Sequence, residues 1–104
     1  MRKIVILLFS SLFKKIKKLS DYPGNKPVFT TIFVTSKQSP LTYISVDEEG
    51  DIQAFSDDEA DSEDAKIISL DQLFELDPSL HTIYEAHNGS SFDKDSKTGN
   101  WIKS

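Results

Sequence analysis

Two histidines, His81 and His87, are the only imidazoles in the chain, and they lie six positions apart. That spacing does not bring them to one face of a helix. No H-E-x-x-H run contains them, and the chain has no cysteine. Thiolate zinc sites, thiol nucleophiles and disulfides are therefore excluded. The serines are plentiful, but no G-x-S-x-G turn presents one as a nucleophile. Four glycines in the whole chain leave none to spare for a loop that cradles phosphate. Each histidine is expected at a helix surface.

The carboxylates invite a calcium reading. Asp57, Glu59 and Asp61 sit at alternating positions within the acidic loop 56–64. An EF-hand loop then requires Gly at its sixth place and Glu at its twelfth. Ser62 and Ile68 stand there instead, so the template fails. Counted from Asp93, Gly99 falls seventh rather than sixth, and that template fails too. What is left is weak, non-specific divalent binding at the loop. Asn88-Gly89-Ser90 has the form of a glycosylation sequon, which carries meaning only in a secreted eukaryotic protein. No catalytic, cofactor-binding or metal-ligating residue is assigned, and the chain is expected to be non-enzymatic. An enzyme assembled from scattered ionisable groups would need a deep pocket holding His81 or His87 beside a carboxylate.

The elements that would position these residues follow from periodicity. Val28 to Thr35 is β-branched and aromatic throughout and predicts a strand. Leu41 to Val46 and Ile52 to Phe55 predict two more, with Gly50 closing the hairpin between them. The three are expected to form an antiparallel meander. Ser56 to Asp64 holds six Asp/Glu in nine residues and is expected to be extended and solvated. Lys66 to Ser69 predicts a short strand. Ser69 or Asp71 then caps a helix through Leu76, and Asp77-Pro78 starts a second one. Asn88-Gly89 is expected to end that helix, with Gly89 in a C-cap role. Ser90 to Phe92 and Trp101 to Ile102 predict closing strands, with Trp101 filling the core.

The fold class is thus α+β: a small antiparallel sheet packed with two or three short helices, including a basic amphipathic N-terminal helix. Residues 1–20 form that basic segment, and residues 28–104 form one acidic domain. Val5, Leu8, Phe9, Leu12, Phe13, Ile16 and Leu19 follow steps of three and four. The lysines fall largely on the other side. Three readings of this stretch stay open: a helix packed on its own domain, a segment lying on an anionic membrane through residues 4–19, and a signal or anchor. Ile4 to Phe9 also fits a buried strand. The apolar run is too short to cross a bilayer as a helix.

Charge divides the chain. Residues 1–46 carry eight Lys/Arg against one Asp, and residues 47–104 carry four Lys against sixteen Asp/Glu. Such an acidic portion argues against binding nucleic acid through that surface, because phosphate contact requires cations. It suits a basic protein partner, or solubility alone. The absence of cysteine points to a reducing compartment, the cytoplasm.

The stretch Val34 to Trp101 resembles a bacterial family of small domains of unknown function, the immunity protein 33 family. Three passages carry the likeness. Thr42-Tyr43-Ile44-Ser45, Asp47-Glu48-Glu49-Gly50-Asp51 and Gln53-Ala54-Phe55-Ser56-Asp57 resemble the family's strand, acidic-glycine turn and aromatic strand. Ile67-Ile68-Ser69-Leu70 with Leu76-Asp77-Pro78-Ser79-Leu80 is similar to its strand, helix and "DPSL"-like passage. Gly89-Ser90-Ser91-Phe92-Asp93-Lys94-Asp95 resembles its tail. Ile52 stands where the family has a tryptophan, and Asp57 where it has a glycine. The resemblance implies a non-enzymatic protein that binds and neutralises a cognate bacterial toxin. The alternatives are a peripheral membrane adaptor held through residues 4–19, and an intracellular regulatory domain.

Overall fold

The computed structural model describes residues 18–104. The expected basic helix of residues 1–20 therefore lies outside the described residues, except for its end. There, Leu19–Asp21 makes one 3-10 turn with Leu19 fully buried. Six strands and two short helices follow: β1 Pro27–Thr31, α1 Ile32–Thr35, β2 Tyr43–Val46, β3 Ile52–Phe55, β4 Ala65–Ser69, α2 Leu70–Leu76, β5 Ser90–Lys94 and β6 Trp101–Lys103. A 3-10 helix at Pro78–Ile83 lies between α2 and β5. The α+β architecture matches the sequence expectation.

The sheet order is β4-β1-β3-β2-β5-β6. The β2–β3 hairpin forms as expected, with Gly50 at φ +90° and its N–H bonded to the Asp47 carbonyl at 3.0 Å. The first strand of the expected meander does not join it as predicted. β1 pairs in parallel with β3 and antiparallel with β4, and not with β2. The cause lies in Val28 to Thr35, which is not one strand. After Thr31 the chain turns into α1, where the Ser36 N–H bonds the Ile32 carbonyl at 2.9 Å. Burial of Val34 in the core outweighs the strand propensity of Ile32-Phe33-Val34. That turn carries the chain past the neighbouring position in the sheet. Lys37, at φ +62°, completes the exit.

The capping signals acted as read. The Gln72 N–H donates to Ser69 Oγ at 3.1 Å, and the Ser69 N–H donates to Gln72 Oε1 at 2.9 Å. This reciprocal box starts α2. Asp77 caps the next turn, accepting the Ser79 N–H at 3.1 Å, with Pro78 first in the helix. Gly89 departs from its expected role. The helix has ended by Ile83, and Gly89, at φ +85°, instead donates its N–H to the Val46 carbonyl at 2.7 Å. It feeds the chain into β5. The acidic loop is not extended throughout either: Ser62–Asp64 closes a 3-10 turn on Asp61.

One face of the sheet carries the core. Val28, Ile44, Val46, Ile52 and Ala54 are buried there against Leu70, Leu73 and Leu80 from the helices, with Leu19, Val34 and Leu41 closing the rim. A fully buried Leu or Ile removes enough apolar surface to contribute about 1.5–3 kcal/mol. Trp101 is buried, as its position predicted. No helix among the described residues is long and apolar enough to cross a membrane.

Candidate functional site

Alternate residues of a strand face opposite sides of the sheet, so each buried row has a partner row on the other face. Opposite Val28 and Ile52 stand Phe29 and Gln53, paired in register. Phe29 also pairs with Ile67 of β4, and Thr31 with Ala65. Phe29 is 44% exposed and Ile67 65% exposed. Beyond them on the same face come Phe55 and Tyr43, which pair with each other, then Asp93 and Ile102. The described helices pack on the other side.

The loop 56–64 runs from the end of β3 to the start of β4, and so passes the end of β1. Between this loop and the outer face opens a groove of about 980 Å³. Phe29, Phe55, Ala60, Ala65 and Ile67 give it an apolar lining, and Gln53, Ser56, Asp58, Asp61 and Ser62 a polar margin. Asp58 is held in place by hydroxyls. Its carboxyl lies below the usual carboxylate range, first because Ser39 bonds it and then because Ser56 does. The Ser56 hydroxyl reaches Asp58 Oδ2 at 2.7 Å. A depressed carboxyl stays charged through neutral pH. What its charge contributes is present above the unfolded value of about 3.9 and is lost as pH falls through the lower folded value.

Thr31 lines this groove and is 94% buried, being only 6% exposed. Its hydroxyl has no hydrogen-bond partner among the described residues. Thr31 stands at the N-cap of α1, where a threonine hydroxyl ordinarily accepts a helix N–H, yet it makes no such bond. The Thr30 hydroxyl, on the core side, has no partner either.

The residues singled out by their chemistry do not assemble elsewhere. His81 and His87 are both exposed. The His81 ring packs on Phe74 at 4.7 Å between centroids, with Tyr84 beside both. Asp71 and Glu75 share a shallow hollow of about 300 Å³ with His81. Neither forms a hydrogen bond with it among the described residues. In the β2–β3 turn, carboxylate oxygens of Asp47, Glu49 and Asp51 come within 4.8 Å of one another, all exposed. Asp47 Oδ1 already accepts the Glu49 and Asp51 N–H groups, both at 2.9 Å, so it holds the turn.

Trp101 belongs to a separate cluster. Its Nε1 donates to Ser79 Oγ at 2.9 Å, and Ser79 Oγ in turn donates to Asp77 Oδ1. Lys94 closes the circuit with an ion pair to Asp77 and lies 5.1 Å from the Trp101 ring centre.

Periodicity alone did not find the groove, although one signal points to it. Val28-Phe29 and Ile67-Ile68 each put two apolar residues in a row within a strand. In a sheet with one wet face, only one of each pair has a core to enter; Phe29 and Ile67 are the two left outside. Comparison with protein-family models, with curated proteins and with solved structures finds no match for this chain.

Proposed function

We propose that the chain is a non-enzymatic binding protein of the cytoplasm, resembling an immunity protein that binds and neutralises a cognate bacterial toxin. The observation that carries this reading is the outer sheet face. An apolar surface lies open there beside a loop with six carboxylates in nine residues. An exposed apolar patch rimmed by charge is the usual anatomy of a contact surface. The sign of the charge suits a basic partner, whose encounter it would speed and whose wrong competitors it would repel. The motif resemblance points to the same role.

The test is co-expression with a toxin-like product encoded beside the gene, followed by binding measurements on the purified pair. Protection of growth is expected, together with a complex whose association rate falls as salt rises. Absence of both protection and binding would remove the immunity reading.

A further inference from the structure

The groove ends at a strand whose outer edge has no partner among the described residues. β4 is the last strand of the sheet among the described residues, and its hydrogen-bonding phase can be read. The Leu70 N–H donates to the Lys26 carbonyl at 2.8 Å, one step beyond the Pro27–Ser69 pair. Antiparallel ladders alternate bonded and non-bonded pairs. Val28–Ile68 and Thr30–Lys66 are therefore the bonded pairs, and Ile67 and Ala65 turn their polar groups away from β1. Ser69 agrees with this phase, since its N–H goes to Gln72 rather than to the ladder. The Ala65 N–H is taken by the Ser62 carbonyl. Ile67 is left presenting both N–H and C=O at the edge, with its side chain 65% exposed. Natural edges are commonly blunted by proline, bulges or inward-pointing charge. β4 has no proline and pairs with β1 over all five residues without a bulge, and its one charge, the exposed Lys66, pairs with Thr30 and so lies on the face opposite Ile67.

We infer that an extended cationic segment of the partner adds to β4 as a seventh strand, the side chains on its groove face alternating between apolar groups over Ile67 and Phe29 and Lys or Arg against Asp58 and Asp61. The occupant is identified by three observations. The edge offers main-chain pairing, which is the basis of strand addition. The adjoining loop carries six carboxylates in nine residues and no cation, and so selects cations. The buried Thr31 hydroxyl lining the groove has no partner among the described residues and can take a polar atom of the incoming segment. The opposite edge, β6, has no comparable acidic loop beside it. This inference deepens the proposed function and rests on its reading of the outer face as the contact surface.

The experiment titrates the full chain with an amidated strand-length lysine–valine peptide in which valine and lysine take turns at every second position, with serine between them, followed by amide NMR and hydrogen exchange. The Ile67 amide is expected to shift and to gain about tenfold protection or more. Ile67→Pro deletes the outward N–H without removing a ladder bond, a position where an edge strand tolerates proline. It is expected to weaken peptide binding about tenfold, equivalent to about 1.4 kcal/mol. Ile67→Thr keeps the N–H and is expected to weaken binding only two- to threefold, roughly the effect of lost apolar area. Asp58→Asn with Asp61→Asn is expected to flatten the salt dependence. The same peptide with glutamate in place of lysine is expected not to bind.

Equal binding of the glutamate peptide would overturn the inference. So would an unprotected Ile67 amide, shifts centred on Trp101–Lys103, or concentration-dependent self-association at β4 without peptide. The same variants measured against the toxin separate the two levels of argument. A toxin bound equally by wild type and Ile67→Pro refutes the strand addition and leaves the immunity reading intact. A lysine–valine peptide seated on β4 with no toxin bound does the reverse.

Discussion

Two regions of this small sheet handle their polar groups in opposite ways. At the corner where the Asp77 turn meets β5 and β6, four side chains satisfy one another. Trp101 donates to Ser79, Ser79 to Asp77, and Lys94 pairs with Asp77 while lying over the Trp101 ring. On the outer face near β4, a threonine hydroxyl is buried without a partner and two large apolar side chains stand in water. The division is between a corner whose polar side chains close on one another and a face whose buried hydroxyl finds no partner among the described residues.

If that division holds, variants at the corner should change stability and leave peptide binding at β4 unchanged once the protein is folded. The largest effect is expected from Trp101→Ala. Removing a buried aromatic side chain costs about 3–5 kcal/mol, and here it also withdraws a donor from Ser79. Urea denaturation measures the loss. A change below about 1 kcal/mol would show that the corner does not anchor β6.

Gly50→Ala comes next. Gly50 has φ +90°, and a Cβ there would lie 2.1 Å from the Tyr22 hydroxyl. Positive φ on a non-glycine residue costs of order 1–3 kcal/mol, and the clash adds to it. Tyr22 also donates to Asn88 Oδ1 at 3.1 Å, so it cannot swing aside freely. Combining Gly50→Ala with Tyr22→Phe should recover part of the loss, and a double-mutant cycle reads that coupling. Strict additivity would show that Tyr22 is not what excludes a side chain at position 50.

Lys94→Met is expected to cost less, about 1–2 kcal/mol, because it leaves the Asp77 carboxylate 13% exposed with hydrogen bonds but no cation. Thermal unfolding of Lys94→Met in the wild-type and Asp77→Asn backgrounds tests the cause. The deficit should shrink in the Asp77→Asn background, where a neutral amide no longer needs the cation. An unchanged deficit would assign the loss to packing of the lysine stem on Trp101.

How much of this was legible beforehand differs by region in the same sense. The caps of α2 and of the Asp77 turn were readable because a capping box and an Asp-Pro start are local bonds between residues a few positions apart. The β2–β3 hairpin was readable for the same reason, through Gly50. The place of β1 was not. Its neighbours are set by where α1 turns the chain, and Ile32-Phe33-Val34 has strand propensity that local reasoning cannot overrule. The role of Gly89 was misread because the residue that claims its N–H, Val46, is forty-three positions away. The groove was hardest to see. It depends on β1 lying between β3 and β4, a fact of topology, and only the doubled apolar residues at 28–29 and 67–68 hinted at it.

The smallest expected effect has the opposite sign and tests the outer face directly. Thr31→Val replaces a hydroxyl by a methyl of nearly the same shape. Where a hydroxyl is hydrogen-bonded this swap is costly, because its partner is stranded. Among the described residues Thr31 has no such partner, and it has no capping bond to lose. Valine also suits the end of a strand. The variant should be more stable by about 0.5–1 kcal/mol, which for a domain of this size raises Tm by several degrees. The lysine–valine peptide should bind the variant more weakly, because the hydroxyl available to the incoming segment is gone. Trp101→Ala, by contrast, should lower stability and spare binding, so the two variants together form a crossed pair. A Thr31→Val protein that is less stable than wild type would mean the hydroxyl already has a partner inside the fold. The contrast between a satisfied corner and an unsatisfied face would then fail at the residue that defines it.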